Sequence, residues 1–148
     1  LAVSIGLEAN EKIQRYILDK IGWNIPFFIQ LLLSRLPVGE ITKTEVDEAY
    51  GHLLLTGSFD TWHERLNIEY GNNKDVAKLI LKYLCVAIDG KTRDEIYNHI
   101  YAKIPTFEND EMGLLLRALM TDGYLVRDNE QYKFRSPLLR DYWKETYC

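Results

Sequence analysis

Gly90-Lys91-Thr92 is the tripeptide in this chain that most suggests chemistry, because phosphate-binding loops close on Gly-Lys-Thr. Such a loop also needs a glycine five residues earlier, so that its backbone amides can turn toward the phosphates. Cys85 stands there, inside a run of helical pattern. A structural duty accounts for the tripeptide instead, with Gly90 ending one helix and Thr92 capping the next. The histidines His52, His63 and His99 are scattered, with no His-x-x-x-His pair. Cys85 and Cys148, the only cysteines, make neither a disulfide framework nor a four-thiolate zinc site, and neither carries the signature of an activated thiolate. There is no Gly-x-Ser-x-Gly elbow. Acidic groups such as Asp47-Glu48 and Glu108/Asp110/Glu111 fit solvated helix surfaces or helix N-termini, where the macrodipole favours them. The sequence therefore offers no catalytic residue, no metal-ligand set and no complete active site.

With 148 residues, 47% of them hydrophobic and 12% aromatic, the chain can bury a core as one compact domain or two small ones. Its net charge of −4 argues against affinity won by neutralising nucleic-acid phosphates over the whole surface. No apolar run reaches the roughly 18 residues of a spanning helix, and Leu1–Gly6 is too short for a signal peptide, so no membrane partner is expected. Two isolated cysteines make the cytoplasm the expected compartment. Starting at Leu1 without an initiator Met, the chain reads as a piece of a longer protein.

The elements follow from periodicity and caps. Glu8 to Ile21 sets Ile13, Tyr16, Ile17 and Ile21 at helical spacing, with Gly22 as a stop. Pro26 suits the first turn of a helix to Leu36 that should be buried on most sides, and Pro37 and Gly39 end it. Thr42-Lys43-Thr44-Glu45 reads as a capping box opening a helix to about Leu55. Phe59, Trp62 and Leu66 mark a short helix, and Gly71-Asn72-Asn73 is the best linker. Beyond it, Asp75–Ile88 predicts a strongly apolar helix. Thr92-Arg93-Asp94-Glu95 opens another, carrying Ile96, Ile100 and Ile104 inward, and a third spans about Asn109 to Asp122. Tyr124–Arg127 and Gln131–Arg135, joined by Asp128-Asn129-Glu130, predict a hairpin, and Ser136-Pro137 starts a last helix. The expected fold is mainly α: a helical bundle over 1–72, then a winged helix-turn-helix domain with a short β-hairpin over 73–148.

A winged helix raises the question of DNA. Residues 73–148 hold 7 Lys and 5 Arg against 7 Asp and 5 Glu, and residues 1–72 hold 6 basic and 10 acidic residues, so neither half is basic. The would-be recognition helix opens with Glu108, Asn109, Asp110 and Glu111, where a groove-reading helix brings Arg, Lys, Asn or Gln to base edges. Candidate nucleic-acid contacts are Arg117 on that helix, Arg127, Lys133 and Arg135 in the wing, and Lys91 and Arg93 near the preceding helix. Six cations give few phosphate contacts, so packing on a protein or a neighbouring domain is the favoured use and nucleic acid the alternative. A helical scaffold or oligomerisation domain is a third reading.

Four segments form an ordered series: Ile21-Gly22-Trp23-Asn24-Ile25-Pro26-Phe27-Phe28-Ile29-Gln30-Leu31-Leu32, Phe59-Asp60-Thr61-Trp62-His63-Glu64-Arg65-Leu66, Asp122-Gly123-Tyr124-Leu125, and Tyr132-Lys133-Phe134-Arg135-Ser136-Pro137-Leu138-Leu139-Arg140-Asp141-Tyr142-Trp143. In that order the series resembles the C-terminal part of prokaryotic AAA+/STAND-type (archaeal-type) ATPases. The resemblance implies that residues 1–72 are a helical lid over a nucleotide bound by an upstream P-loop domain, and that residues 73–148 are an appended winged helix. It implies ATP and Mg²⁺ as cofactors of the parent protein, with the upstream domain and an unidentified protein as partners. A Gly-x-Pro at the start of a lid helix approaches the nucleotide in the family. Here Asn24-Ile25-Pro26 matches it with Asn for Gly, making Asn24 and Pro26 the nucleotide-proximal residues. No P-loop, acidic Mg²⁺-binding strand or arginine finger occurs in the 148 residues, so this piece is not expected to hydrolyse ATP alone.

Overall fold

A computed structural model describes residues 7–8, 10–21, 26–56 and 59–148. Among the described residues the chain is mainly helical, 68% helix in eight helices, with a small three-stranded antiparallel sheet. The chain divides into two compact units, Leu1–Gly57 and Ser58–Cys148. The short helix around Trp62, grouped above with the first half, thus belongs to the second unit. No helix among the described residues is long and apolar enough to cross a membrane.

In the first unit, α1 (Glu11–Ile21), α2 (Pro26–Leu33) and α3 (Lys43–Thr56) pack on one another, and β1 (Leu7–Glu8) runs parallel to β2 (Gly39–Glu40). α1 starts three residues later than periodicity predicts, because Asn10 Oδ1 accepts the Ile13 amide at 2.9 Å and caps it. α2 stops at Leu33: Ser34 Oγ donates to Leu31 O at 2.7 Å, and Pro37 bars helical backbone at Leu36. Phe28, Leu32 and Leu33 are buried with Ile13, Ile17, Val46 and Leu53, but Phe27 is 65% exposed, so α2 is less enclosed than its composition suggests. The capping box is half made, with the Thr42 amide donating to Glu45 Oε2 at 2.6 Å. On the surface, Tyr16 OH donates to Asp47 Oδ1 at 2.5 Å and Lys20 Nζ lies 3.2 Å from the same oxygen. These bonds, Tyr16 first, hold the Asp47 carboxyl below its ordinary value.

The second unit comprises α4 (Asp60–Glu69), a 3-10 turn (Gly71–Asn73), α5 (Lys74–Leu84), β3 (Lys91–Thr92), α6 (Arg93–Lys103), α7 (Asn109–Thr121), β4 (Leu125–Asp128), β5 (Gln131–Phe134) and α8 (Pro137–Tyr147). The expected linker is this 3-10 turn, running directly into α5. α5 ends at Leu84, not Ile88. Two tight turns follow, Ala87 N to Leu84 O and Gly90 N to Ala87 O, and they leave Val86 and Ile88 exposed. Thr92 Oγ1 accepts the Glu95 amide and Ser136 Oγ accepts the Leu139 amide, both at 3.2 Å, as their positions before α6 and α8 predict. β5 pairs antiparallel with β4 on one side and with β3 on the other, giving the order β3-β5-β4. The hairpin turns on two residues rather than three: Asn129 and Glu130 have φ of 47° and 65°, the left-handed pair that suits a type I′ turn.

The core of this unit is aliphatic between α5, α6 and α7, where Leu81, Leu84, Ile96, Ile100 and Leu119 are buried, and aromatic along α4 and α8. Phe59 meets Tyr142 at 4.8 Å and Trp62 meets Tyr124 edge-on at 4.9 Å, while Trp143 is enclosed with Tyr124 and Phe134 about it. Two hydroxyls fasten α4 to the turn between α7 and β4: Tyr124 OH donates to Trp62 O, and Tyr70 OH to Asp122 Oδ2, each at 2.6 Å.

Candidate functional site

Gly90 lies in the left-handed region, with φ of 87°, and a Cβ there would sit 2.7 Å from the carbonyl oxygen of Tyr132. The glycine is needed so that β3 can reach β5. Lys91 Nζ lies 3.6 Å from Glu95 and Thr92 caps α6, so the tripeptide joins an edge strand to a helix and does not form a phosphate cradle. Cys85, at the position where such a loop needs its first glycine, is buried.

The six cations proposed from the sequence are largely turned toward their own surroundings. Arg127 lies 3.5 Å from Glu130 and over the Tyr132 ring at 5.7 Å. Lys133 pairs with Asp128 at 3.3 Å, and Arg93 Nη2 donates to the Asn109 carbonyl at 2.8 Å, tying α6 to the first turn of α7. With Lys91 on Glu95, four of the six have an acidic or carbonyl partner; Arg117 and Arg135 are exposed. A cation beside its own carboxylate contributes little net field for a polyanion, because bringing in a phosphate means separating the pair or accepting repulsion.

On α7, Met112, Leu115, Leu116 and Leu119 point inward, leaving Asp110, Glu111, Leu114, Arg117 and Thr121 on the exposed side. Leu114 is 68% exposed in the middle of that stripe, with two acids before it and one cation after it. Opposite charges flanking an exposed aliphatic side chain make a surface able to take up a protein, and a poor reader of base edges.

A cleft of about 330 Å³ lies elsewhere in this unit, lined by His63, Asp75, Lys78, Leu79, Lys82, Trp143 and Tyr147. His63 stacks on Tyr147 at 4.7 Å, and Lys78 Nζ donates to Asn67 Oδ1 at 2.6 Å. His99 stacks on Tyr83 at 3.9 Å, and burial followed by the nearby Lys103 charge moves its pKa below the ordinary imidazole value. Among the described residues, no three His, Cys, Asp or Glu side chains are grouped to hold a metal ion. Asn24 lies outside the described residues, and of Pro26 the backbone alone is described, as the first residue of α2.

Sequence reasoning missed the meeting of Cys85 with Cys148, whose sulfurs lie 2.6 Å apart across a separation of 63 residues. Nothing local to either cysteine signals it. No family model matches the sequence, and no curated protein matches it significantly.

Proposed function

We propose that the chain is the non-catalytic lid and winged-helix region of a P-loop ATPase of the AAA+/STAND type, in which the winged helix docks on protein and not on duplex DNA. The element order α5-β3-α6-α7-β4-β5, with sheet order β3-β5-β4, supports the winged-helix reading. The ordered series from Ile21 to Trp143 supports the ATPase reading. The observation that carries the choice of partner is the exposed side of α7, acidic at its start and centred on Leu114, beside a hairpin whose Arg127 and Lys133 meet Glu130 and Asp128. In this reading the phosphate cradle and the metal ligands belong to a preceding domain, and this region turns the nucleotide state of that domain into access for a partner.

The test uses the full-length protein. A Gly-x-x-x-x-Gly-Lys-[Ser/Thr] loop is expected before Leu1, and Leu114→Asp should leave nucleotide binding intact while abolishing whatever protein association the full-length chain shows. A preceding region without such a loop overturns the ATPase reading. Duplex binding that depends on Arg127 and Lys133 overturns the choice of partner and favours the DNA-binding alternative.

A further inference from the structure

Cys85 follows the last turn of α5 and is buried, while Cys148 follows α8 and is exposed. Their sulfurs lie 2.6 Å apart, roughly half an ångström beyond the length of a disulfide bond. Both thiols point toward one backbone atom, the Lys82 carbonyl, at 3.1 Å from Cys85 Sγ and 3.9 Å from Cys148 Sγ. α5 and α8 are in direct contact, so the approach is set by packed helices and not by a chance meeting of loops. A buried thiol and an exposed thiol held this close differ in what reaches them: solvent oxidants meet Cys148 first, and Cys85 is met only through it.

We propose that Cys85 and Cys148 are a dithiol–disulfide pair, oxidised by hydroperoxides, whose closure locks α8 onto the end of α5. The Cys148 thiolate attacks one oxygen of hydrogen peroxide. The O–O bond breaks, hydroxide leaves, and Cys148 becomes a sulfenic acid. Cys85 sulfur then attacks the Cys148 sulfur, forming the S–S bond and breaking S–O. The departing hydroxide takes up the Cys85 proton as water. Two thiols lose two electrons and two protons, and one peroxide becomes two waters. Burial first, and then the Cys148 partner, push the Cys85 thiol up to about 12, which keeps it unreactive toward solvent oxidants and leaves the resolving step to proximity. The bond would close a loop between residues 63 apart, which stabilises the chain mainly by restricting its unfolded state.

The test is oxidation of the reduced chain with hydrogen peroxide, followed by intact mass, peptide mapping and alkylation under denaturing conditions. The expected result is loss of two hydrogens, a Cys85–Cys148 peptide, rates at least about tenfold faster in the folded chain than in urea, and a melting temperature raised by on the order of 10 °C. Cys148→Ser should leave Cys85 reduced at the same oxidant dose. Cys85→Ser should stop at a sulfenic acid on Cys148 that dimedone traps; should that variant fail to fold, the wild-type rate ratio and Cys148→Ser still decide. Oxidised Cys148 beside an alkylatable Cys85 in the wild type, or equal rates folded and unfolded, would overturn the proposal.

Discussion

Along α4 and α8 the second unit is held by rings and two part-buried hydroxyl bonds, whereas the hairpin beside α7 presents charges that meet their opposites at the surface. The first region removes Trp143, Tyr124 and Phe59 from water almost completely, so its energy lies in packing. Ion pairs in the second are largely solvated, with Arg127 and Glu130 half exposed or more, and exposed pairs of this kind contribute about 0–1 kcal/mol each. The difference separates two kinds of surface: the aromatic seam fixes the fold, and the charged face contributes little to it. Mutations should therefore divide sharply between the two.

The largest effect is expected on the seam. Trp143→Ala should destabilise the second unit by about 3–5 kcal/mol, seen as a lower melting temperature, because it opens a cavity where Tyr124, Phe134 and Tyr142 meet the indole. Next comes a position near the hairpin where the backbone, not a charge, is at stake. Gly90→Ala forces a Cβ against the Tyr132 carbonyl at positive φ and should cost about 1–3 kcal/mol in denaturant unfolding. Lys91→Ala beside it should change little, which a phosphate loop would not permit.

Tyr70→Phe comes third. Removing the hydroxyl that donates to Asp122 should cost about 1 kcal/mol at neutral pH. Burial first, then the bond to Asp122, raise the Tyr70 pKa above the ordinary value of 10.0, and burial raises that of Tyr124. A raised folded pKa means stability that is complete below pH 10.0 and is lost as the pH climbs above it, since the unfolded chain ionises first. The second unit should therefore weaken on alkaline titration, and Tyr70→Phe should flatten that decline, followed by tyrosinate absorbance and unfolding together. Smallest of all, Arg127→Ala and Lys133→Ala should each shift stability by less than about 1 kcal/mol. A loss as large as that of Trp143→Ala would erase the contrast between the two regions.

What the sequence makes legible is local. Thr92 and Ser136 announce their helices because a cap hydroxyl bonds an amide three residues on, and Ile96/Ile100 or Leu115/Leu119 show their buried side through spacing alone. β3 is not legible: two residues long, it exists because β5, some forty residues later, offers it an edge. Trp62 and Leu66 declare a helix, but the core it enters is chosen by Tyr124 and Tyr142, which lie far along the chain. The same holds for candidate sites. The balance of charge in residues 73–148 could be counted, yet the pairing of Arg127 with Glu130 and Lys133 with Asp128 depends on the two-residue turn at Asn129 and Glu130, where a three-residue loop is expected. Cys85 and Cys148 meet only because α5 and α8 pack.

The proposal that the α7 and hairpin face serves protein and not duplex DNA is decided by titrating the folded chain against duplex DNA over a range of salt. Weak association is expected even at low salt, with a shallow dependence on salt that Arg127→Ala and Lys133→Ala leave unchanged. Tight binding with a steep salt slope, reduced by about one for each of those two substitutions, would contradict it.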